Sequence, residues 1–152
     1  MGATNREERA EGGTYTLLID LDVGEPVTVA FGAAGSRALQ PGRYAYTGSA
    51  LGSGGFARID RHRRVASGDH DVRHWHVDYL LGHPDARLAR AVRSPGVDAE
   101  CRIAQSVGDA TGTEPIPGVG ASDCDCPSHL AFARDGADLE RSVERAHERS
   151  RA

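Results

Sequence analysis

The sequence contains no lysine, and all 18 of its basic residues are arginine. This absence says little about function by itself. The sequence also has no apolar run approaching the roughly 20 residues that a membrane-spanning helix needs, so we expect no membrane partner. The N-terminal segment MGATNREERAEGG is polar and lacks the apolar region of a secretory signal peptide. These features predict a cytoplasmic protein.

Cysteine is also scarce. The chain has three cysteines, an odd number that fits a reducing compartment better than a disulfide framework.

A length of 152 residues allows one domain with a hydrophobic core and is short for two.

The charge is distributed unevenly along the chain. The net charge is −4, with 22 acidic residues against 18 arginines. Residues 31–76 hold seven arginines and three aspartates, a net charge of +4, and the remainder carries 11 arginines and 19 acids, a net charge of −8. A local basic segment is what a phosphate-binding surface needs. Ordinary variation of charge along a chain is the alternative.

Three segments in the first third of the chain have the pattern of β-strands. Apolar and polar residues alternate over Thr14–Leu21, and shorter β-type segments follow at Pro26–Phe31 and Arg43–Gly48. The segment GAAGSRALQPG between the last two is predicted to be a loop. The short connections rich in glycine and proline suggest an antiparallel meander.

Helices dominate the following part of the chain. We predict helices over Gly55–Ala66, His74–Leu81 and Ala99–Val107, the last with Asp98 as its N-cap. The segment Ala86–Arg93 alternates as a strand does.

A long irregular loop, TGTEPIPGVGASDCDCPS, is predicted to precede a final strand with the sequence HLAFAR. We expect residues 1–12 to form a disordered tail, residues 13–134 the folded domain, and residues 135–152 a charged helix or tail. This order of elements predicts an α/β (α+β) fold with a small, mainly antiparallel central sheet flanked by helices.

The stretch GSALGSGGFARIDRHRR joins a glycine-rich turn to a basic helix. Glycine lets backbone N–H groups approach an anion, although a flexible connection is the simpler interpretation. On the helix, Arg58 and His62 are four residues apart and share a face, with Arg61, Arg63 and Arg64 around them. Guanidinium groups suit phosphate oxygens, whereas a solvated arginine face is the alternative.

Glu100 is an acid on an apolar stripe of its predicted helix, together with Ile103, Ala104 and Val107. A buried carboxylate is costly unless it is paired or binds a metal. An acid favoured by the dipole of the first helical turn is the alternative.

Cysteine and histidine residues form a second candidate cluster, made of Cys101, Cys124, Cys126 and His129. These four side chains could bind zinc in a tetrahedral site, or the cysteines could be small core residues. In the segment HWH, His74 and His76 point apart on a helix, which disfavours joint ligation and leaves packing or phosphate contacts.

Together these segments resemble the GIY-YIG nuclease superfamily. The superfamily is named after two tripeptide motifs, GIY and YIG. The tripeptide GTY at Gly13–Tyr15 corresponds to the first of these name motifs, and YTG at Tyr46–Gly48 corresponds to the second. Arg58 and His62 match the arginine helix that follows, and Glu100 matches the metal-binding glutamate of a later helix.

Within that superfamily the chain looks most like the Uri-type endonuclease branch. The segments YTGSALGSGGFARIDRH, HWHVDYLL, AEC and GASDCDCPSHL resemble signatures of this branch, and the resemblance covers about residues 12–132. The predicted strand Pro26–Phe31 is an extra β segment between the two name motifs.

The resemblance implies an endonuclease that hydrolyses phosphodiester bonds in nucleic acid, with DNA favoured over RNA. Glu100 would hold Mg²⁺ or Mn²⁺, and Arg58 would stabilise charge on the phosphoryl oxygens. Tyr15 or Tyr46 would orient or deprotonate the attacking water, with His62 as a relay. The other function we consider is a non-catalytic nucleic-acid-binding module that contains a structural zinc site.

Overall fold

The computed structural model describes residues 12–51, 54–68, 76–119 and 128–151. The expected N-terminal tail up to residue 11, residues 120–127 of the predicted irregular loop, and His74 lie outside these ranges, and Cys124 and Cys126 belong to that loop segment. Seven strands occur in the described part of the chain: β1 (Gly13–Leu21), β2 (Val27–Ala30), β3 (Ser36–Leu39), β4 (Gly42–Ser49), β5 (Ala86–Pro95), β6 (Thr113–Pro115) and β7 (Leu130–Ala133).

Five of these strands form a central sheet in the order β5–β1–β4–β7–β6. Each neighbouring pair in this sheet is antiparallel. The mainly antiparallel sheet predicted from the sequence is therefore confirmed. The predicted meander is wrong, because β1 pairs directly with β4, without β2 between them.

Strands β2 and β3 form a separate two-stranded hairpin. The residues of β3 fall in a segment that the sequence pattern assigned to a loop. This strand is only four residues long, and it contributes a single large apolar side chain, Leu39, so its alternation is hard to detect. Leu39 and Phe31 are both fully buried and extend the core on one face of the central sheet.

Four helices complete the described fold: α1 (Ala57–Ala66), α2 (His76–Leu81), α3 (Glu100–Gly108) and α4 (Gly136–Arg151). They cover both faces of the sheet, which confirms the predicted α+β architecture. No helix in the ranges given above is long and apolar enough to cross a membrane.

The alternation of β1 determines which helices pack on which face. Leu17 and Ile19 belong to a core cluster with Ile59 of α1 and Leu80 of α2. Leu18 points to the other face and belongs to a second cluster, together with apolar residues of α3 and α4 (Ile103, Val107, Leu139, Val143 and Ala146). The result is a three-layer arrangement with the sheet in the middle.

Two further details differ from the sequence-based expectations. Asp98 is not the N-cap of α3, because Ala99 occupies that position and has no capping side chain. Instead, the backbone N–H of Ala99 donates to Thr14 Oγ1 at 3.1 Å, so β1 supplies the acceptor. The short strand β6 lies in the segment predicted to be irregular, where its three residues leave almost no alternation to detect.

Candidate active site

Tyr15 and Tyr46 lie on the same face of the sheet, in the adjacent strands β1 and β4. In the β1–β4 register, Tyr15 is opposite Gly48 and Leu17 is opposite Tyr46, so these four residues share a face. A Cβ atom added to Gly48 would lie 2.7 Å from Tyr15 Oη and 3.1 Å from Tyr46 Cε2. The glycine therefore leaves the space in which both phenol rings pack.

Helix α1 contributes a histidine and an arginine to this face. His62 is fully buried, and its Nε2 atom lies 2.9 Å from Tyr15 Oη. Arg58, one turn earlier, donates a hydrogen bond to the carbonyl oxygen of Ser49 at the end of β4. The spacing of four residues places both side chains on one face of α1, and that face is turned toward Tyr15.

Helix α2 adds an aspartate that the motif analysis missed. Asp78 Oδ1 lies 3.1 Å from His62 Nδ1, and Asp78 Oδ2 lies 3.6 Å from an Nη atom of Arg61. The Asp78 and His62 side chains have no exposed surface. Tyr15, His62 and Asp78 therefore form a continuous hydrogen-bonded chain inside the protein.

The sequence did contain a signal for Asp78. This residue is an acid in the apolar helix HVDYLL, next to Val77 and on one stripe with Leu81. The same argument, applied to an apolar stripe, singled out Glu100.

The pKa values of both tyrosines are raised. Burial raises the pKa of Tyr15 well above its usual value, and the nearby Tyr46 and Glu100 add to this effect while Arg58 opposes it. Burial also raises the pKa of Tyr46, with Glu100 and Asp78 acting in the same direction and Arg58 against it. Both phenols are therefore neutral at physiological pH. These couplings also show that the two tyrosines, Arg58 and Glu100 share one electrostatic environment.

Glu100 begins α3 at the same end of the sheet, and a quarter of its side chain is exposed. Its Oε2 atom lies 3.8 Å from His129 Nδ1, and Cys101 Sγ lies 4.0 Å from His129 Nε2. Ligand atoms of these three residues all lie within 4.8 Å of one another, close enough to hold a metal ion.

Cys101 is disulfide-bonded in this structure. The sequence-based expectation of free cysteines therefore does not hold for this residue. A metal site that uses its sulfur would require a thiolate, whereas Glu100 and His129 can serve as ligands without it. Cys124 and Cys126, the other cysteines of the zinc hypothesis, lie outside the described residues.

The model of a family described as a domain of unknown function, DUF123, matches residues 14–152. The matched span includes both tyrosines, α1, Asp78 and Glu100. The chain belongs to the DUF123 family. No curated protein and no solved structure matches the chain.

The remaining basic residues that the sequence suggested for nucleic-acid binding are spread over this DUF123 domain. Arg63 and Arg64 are exposed on α1, whereas Arg61 turns inward to Asp78 and only 15% of its side chain is exposed. His76 begins α2 and is half-buried. Of these arginines, two are therefore open to an incoming phosphate backbone.

Proposed function

We propose that this DUF123 protein is a divalent-metal-dependent endonuclease of the GIY-YIG type, in the Uri branch, which hydrolyses phosphodiester bonds in nucleic acid, with DNA favoured over RNA. One observation carries the proposal: Tyr15, Tyr46, Arg58 and Glu100, which come from four different elements, interact electrostatically in one site. Perturbed tyrosines beside an arginine and a carboxylate are typical of catalytic sites.

The residues at Glu100 fit a divalent cation. A partly exposed carboxylate is the ligand that Mg²⁺ and Mn²⁺ prefer, with water and substrate phosphate completing the coordination. The imidazole of His129 would favour Mn²⁺ or Zn²⁺ over Mg²⁺. When bound, the cation would polarise a phosphoryl oxygen and stabilise the leaving oxygen.

Arg58 is suited to the charge that develops on the phosphate during hydrolysis. Its guanidinium is fixed by the Ser49 carbonyl and lies near both tyrosines. A preorganised cation stabilises additional negative charge in the transition state without having to rearrange. Arg58 would therefore bind the scissile phosphate between the tyrosines and Glu100.

Tyr15 would pass on a proton, because a phenol with a raised pKa is a poor base when it acts alone. The attacking water gives a proton to Tyr15 Oη while the phenol proton moves to His62 Nε2, 2.9 Å away. The resulting hydroxide forms a bond to phosphorus, the ester P–O bond breaks, and the departing oxygen takes up a proton from solvent to leave as an alcohol. His62 then returns the proton to solvent through Tyr15. Tyr46, packed beside it, would hold the water or the phosphate in place.

The exposed arginines of α1 would hold the nucleic acid by its phosphates. Arg63 and Arg64 lie on the helix that carries Arg58 and His62. Contacts of this kind position a substrate without reading its sequence. We therefore expect weak sequence specificity and strong dependence on salt.

The test is cleavage of labelled DNA and RNA, as duplex, single-stranded and branched substrates, with Mg²⁺, with Mn²⁺ and with a chelator. Metal-dependent cleavage is expected from the wild type, and Arg58→Ala and Glu100→Gln should each lower kcat by at least about 100-fold. The matched controls are Arg145→Ala and Glu114→Gln, which change exposed residues and should leave kcat unchanged.

Two outcomes would refute the enzymatic assignment. Cleavage that survives both Arg58→Ala and Glu100→Gln would have to come from another site or a contaminant. Salt-sensitive binding without cleavage of any substrate would favour the non-catalytic nucleic-acid-binding module. Elemental analysis would then test whether that module contains a structural zinc ion.

A further inference from the structure

A buried charge lies behind the proposed proton acceptor. Asp78 has no solvent-exposed surface and belongs to a helix whose other core side chains are apolar. Burying a carboxylate costs several kcal/mol unless it has charged or hydrogen-bonding partners. Two partners of Asp78 come from α1, and they are Arg61 and His62.

The two partners determine where the hydrogen atoms lie. The guanidinium of Arg61, 3.6 Å away, favours the ionised form of the Asp78 carboxyl. An ionised carboxylate only accepts hydrogen bonds, so His62 must carry its proton on Nδ1. In the neutral form the imidazole has a single N–H group, and Nε2 is then an acceptor.

This arrangement extends to the phenol. Since His62 Nε2 accepts, the Tyr15 hydroxyl donates its proton across the 2.9 Å contact. Tyr15 Oη then remains an acceptor, and the guanidinium of Arg58 donates a hydrogen bond to it. With the opposite tautomer, Nε2 would donate to Oη, and His62 could not take a proton from the phenol.

We infer that Asp78, kept ionised by Arg61, is a positioning residue that sets the tautomer of His62 and thereby directs the Tyr15 O–H group to it. Asp78 does not reach the substrate. It also places a negative charge beside the imidazolium that forms when His62 takes up the proton. The catalytic consequence rests on the proposed nuclease function, whereas the tautomer does not.

The tautomer can be measured directly in the wild-type protein. Long-range proton–nitrogen NMR correlations of ¹⁵N-labelled histidine distinguish the two neutral forms and the imidazolium. His62→Gln assigns the signal by its disappearance. His83 is an internal reference of the opposite kind, because its Nδ1 accepts from the backbone N–H of Asp85.

At mildly alkaline pH we expect His62 to be protonated on Nδ1 alone. A proton on Nε2, whether alone or together with one on Nδ1, would overturn the inference. This result does not depend on nuclease activity, so an inactive wild type would refute the proposed function and leave the tautomer assignment intact.

A variant then tests the catalytic consequence. Asp78→Asn should mix the His62 tautomers and lower kcat by about 100-fold, with KM within about twofold because the buried residue does not touch nucleic acid. The matched control is Asp60→Asn, an exposed aspartate of α1, which should change neither the spectrum nor kcat. Unchanged kcat in folded Asp78→Asn would contradict the positioning role.

Arg61→Gln supplies a second variant if circular dichroism shows that Asp78→Asn does not fold. It removes the charge that keeps Asp78 ionised and leaves the aspartate in place. We expect mixed tautomers and a loss of kcat of about 10-fold. A single Nδ1–H tautomer with unchanged kcat in Arg61→Gln would contradict the proposal that Arg61 keeps Asp78 ionised.

Discussion

Gly48 lies directly across the β1–β4 ladder from Tyr15, so close that a Cβ at position 48 would sit 2.7 Å from the phenol oxygen. Gly48→Ala should therefore push the Tyr15 ring away from His62. Because the fixed methyl group cannot rotate aside, we expect kcat to fall by at least about 10-fold in a protein that still folds. Single-turnover cleavage beside circular dichroism measures both quantities.

The matched control for this prediction is Gly24→Ala. Gly24 has nothing within 4 Å of an added Cβ, and it lies at the far end of β1 from Tyr15. The control should cut as the wild type does. Wild-type kcat in Gly48→Ala would show that the close approach of this glycine to Tyr15 does not matter for catalysis.

The exposed arginines of α1 predict how binding responds to salt. Each phosphate contact contributes about 0.9 to the slope of log K against log salt concentration on duplex DNA. Replacing Arg63 and Arg64 together by alanine should lower the magnitude of that slope by up to about 2. Fluorescence anisotropy with a labelled duplex at several salt concentrations gives the slope.

The control replaces Arg145 and Arg149 by alanine. Both are exposed on α4, on the opposite side of the sheet from α1. An equal loss of slope in the control would mean that binding depends on overall charge. It would contradict the assignment of the α1 arginines as the nucleic-acid-binding surface.

A cluster of charges at the other end of the sheet predicts a stability effect. Arg43 Nε donates to Asp20 Oδ1 at 2.6 Å, and its Nη1 donates to Glu140 Oε1 at 3.0 Å. Arg43→Gln should lower the free energy of unfolding by about 1–3 kcal/mol, because it removes charge-assisted hydrogen bonds in a half-buried position. Urea denaturation measures the change.

The comparison for this cluster is the Arg141–Asp138 pair, whose side chains are both 59% exposed. Arg141→Gln should cost less than about 1 kcal/mol. The hydrogen bond from Arg43 is the main cause that lowers the pKa of Asp20. The Asp20 contribution is therefore present above the ordinary aspartate pKa of 3.8, and it disappears as the pH falls below that value. Equal changes in the free energy of unfolding for the two arginine variants would contradict the prediction that the Arg43 cluster is more stabilising than an exposed ion pair.

Local sequence patterns predicted much of this site because they determine on which face of a strand or helix each side chain lies. Alternation in β1 places Tyr15 with Leu17, and a spacing of four residues places Arg58 with His62. The contact between His62 and Asp78 is different, because these residues come from two helices and their neighbourhood depends on how both helices pack on the sheet. A pattern within either helix indicates only that the aspartate is buried.

The strand order was harder to predict for a similar reason. Strand β2 has enough β character to be expected in the sheet, yet it pairs with β3 instead, and β1 pairs with β4. Nothing in the alternation of either strand specifies its partner. Likewise, the apolar stripe of α3 predicts which residues it buries, whereas the approach of Glu100 to the tyrosines requires contacts between α3 and β1, such as the Thr14–Ala99 hydrogen bond.

His147 of α4 predicts how stability depends on pH. Its ring lies 2.8 Å from both Thr16 Oγ1 and Ser94 Oγ, and burial, together with the nearby Arg151, lowers its pKa from 6.5 to about 4. The unfolded chain therefore binds more protons between these values, so stability falls as the pH drops below 6.5. From pH 7.5 to pH 5 this residue should cost about 2 kcal/mol. Urea denaturation of the wild type and His147→Gln at both pH values isolates the effect, because other titrating groups cancel in the difference. An equal loss of stability in both proteins would show that His147 titrates normally.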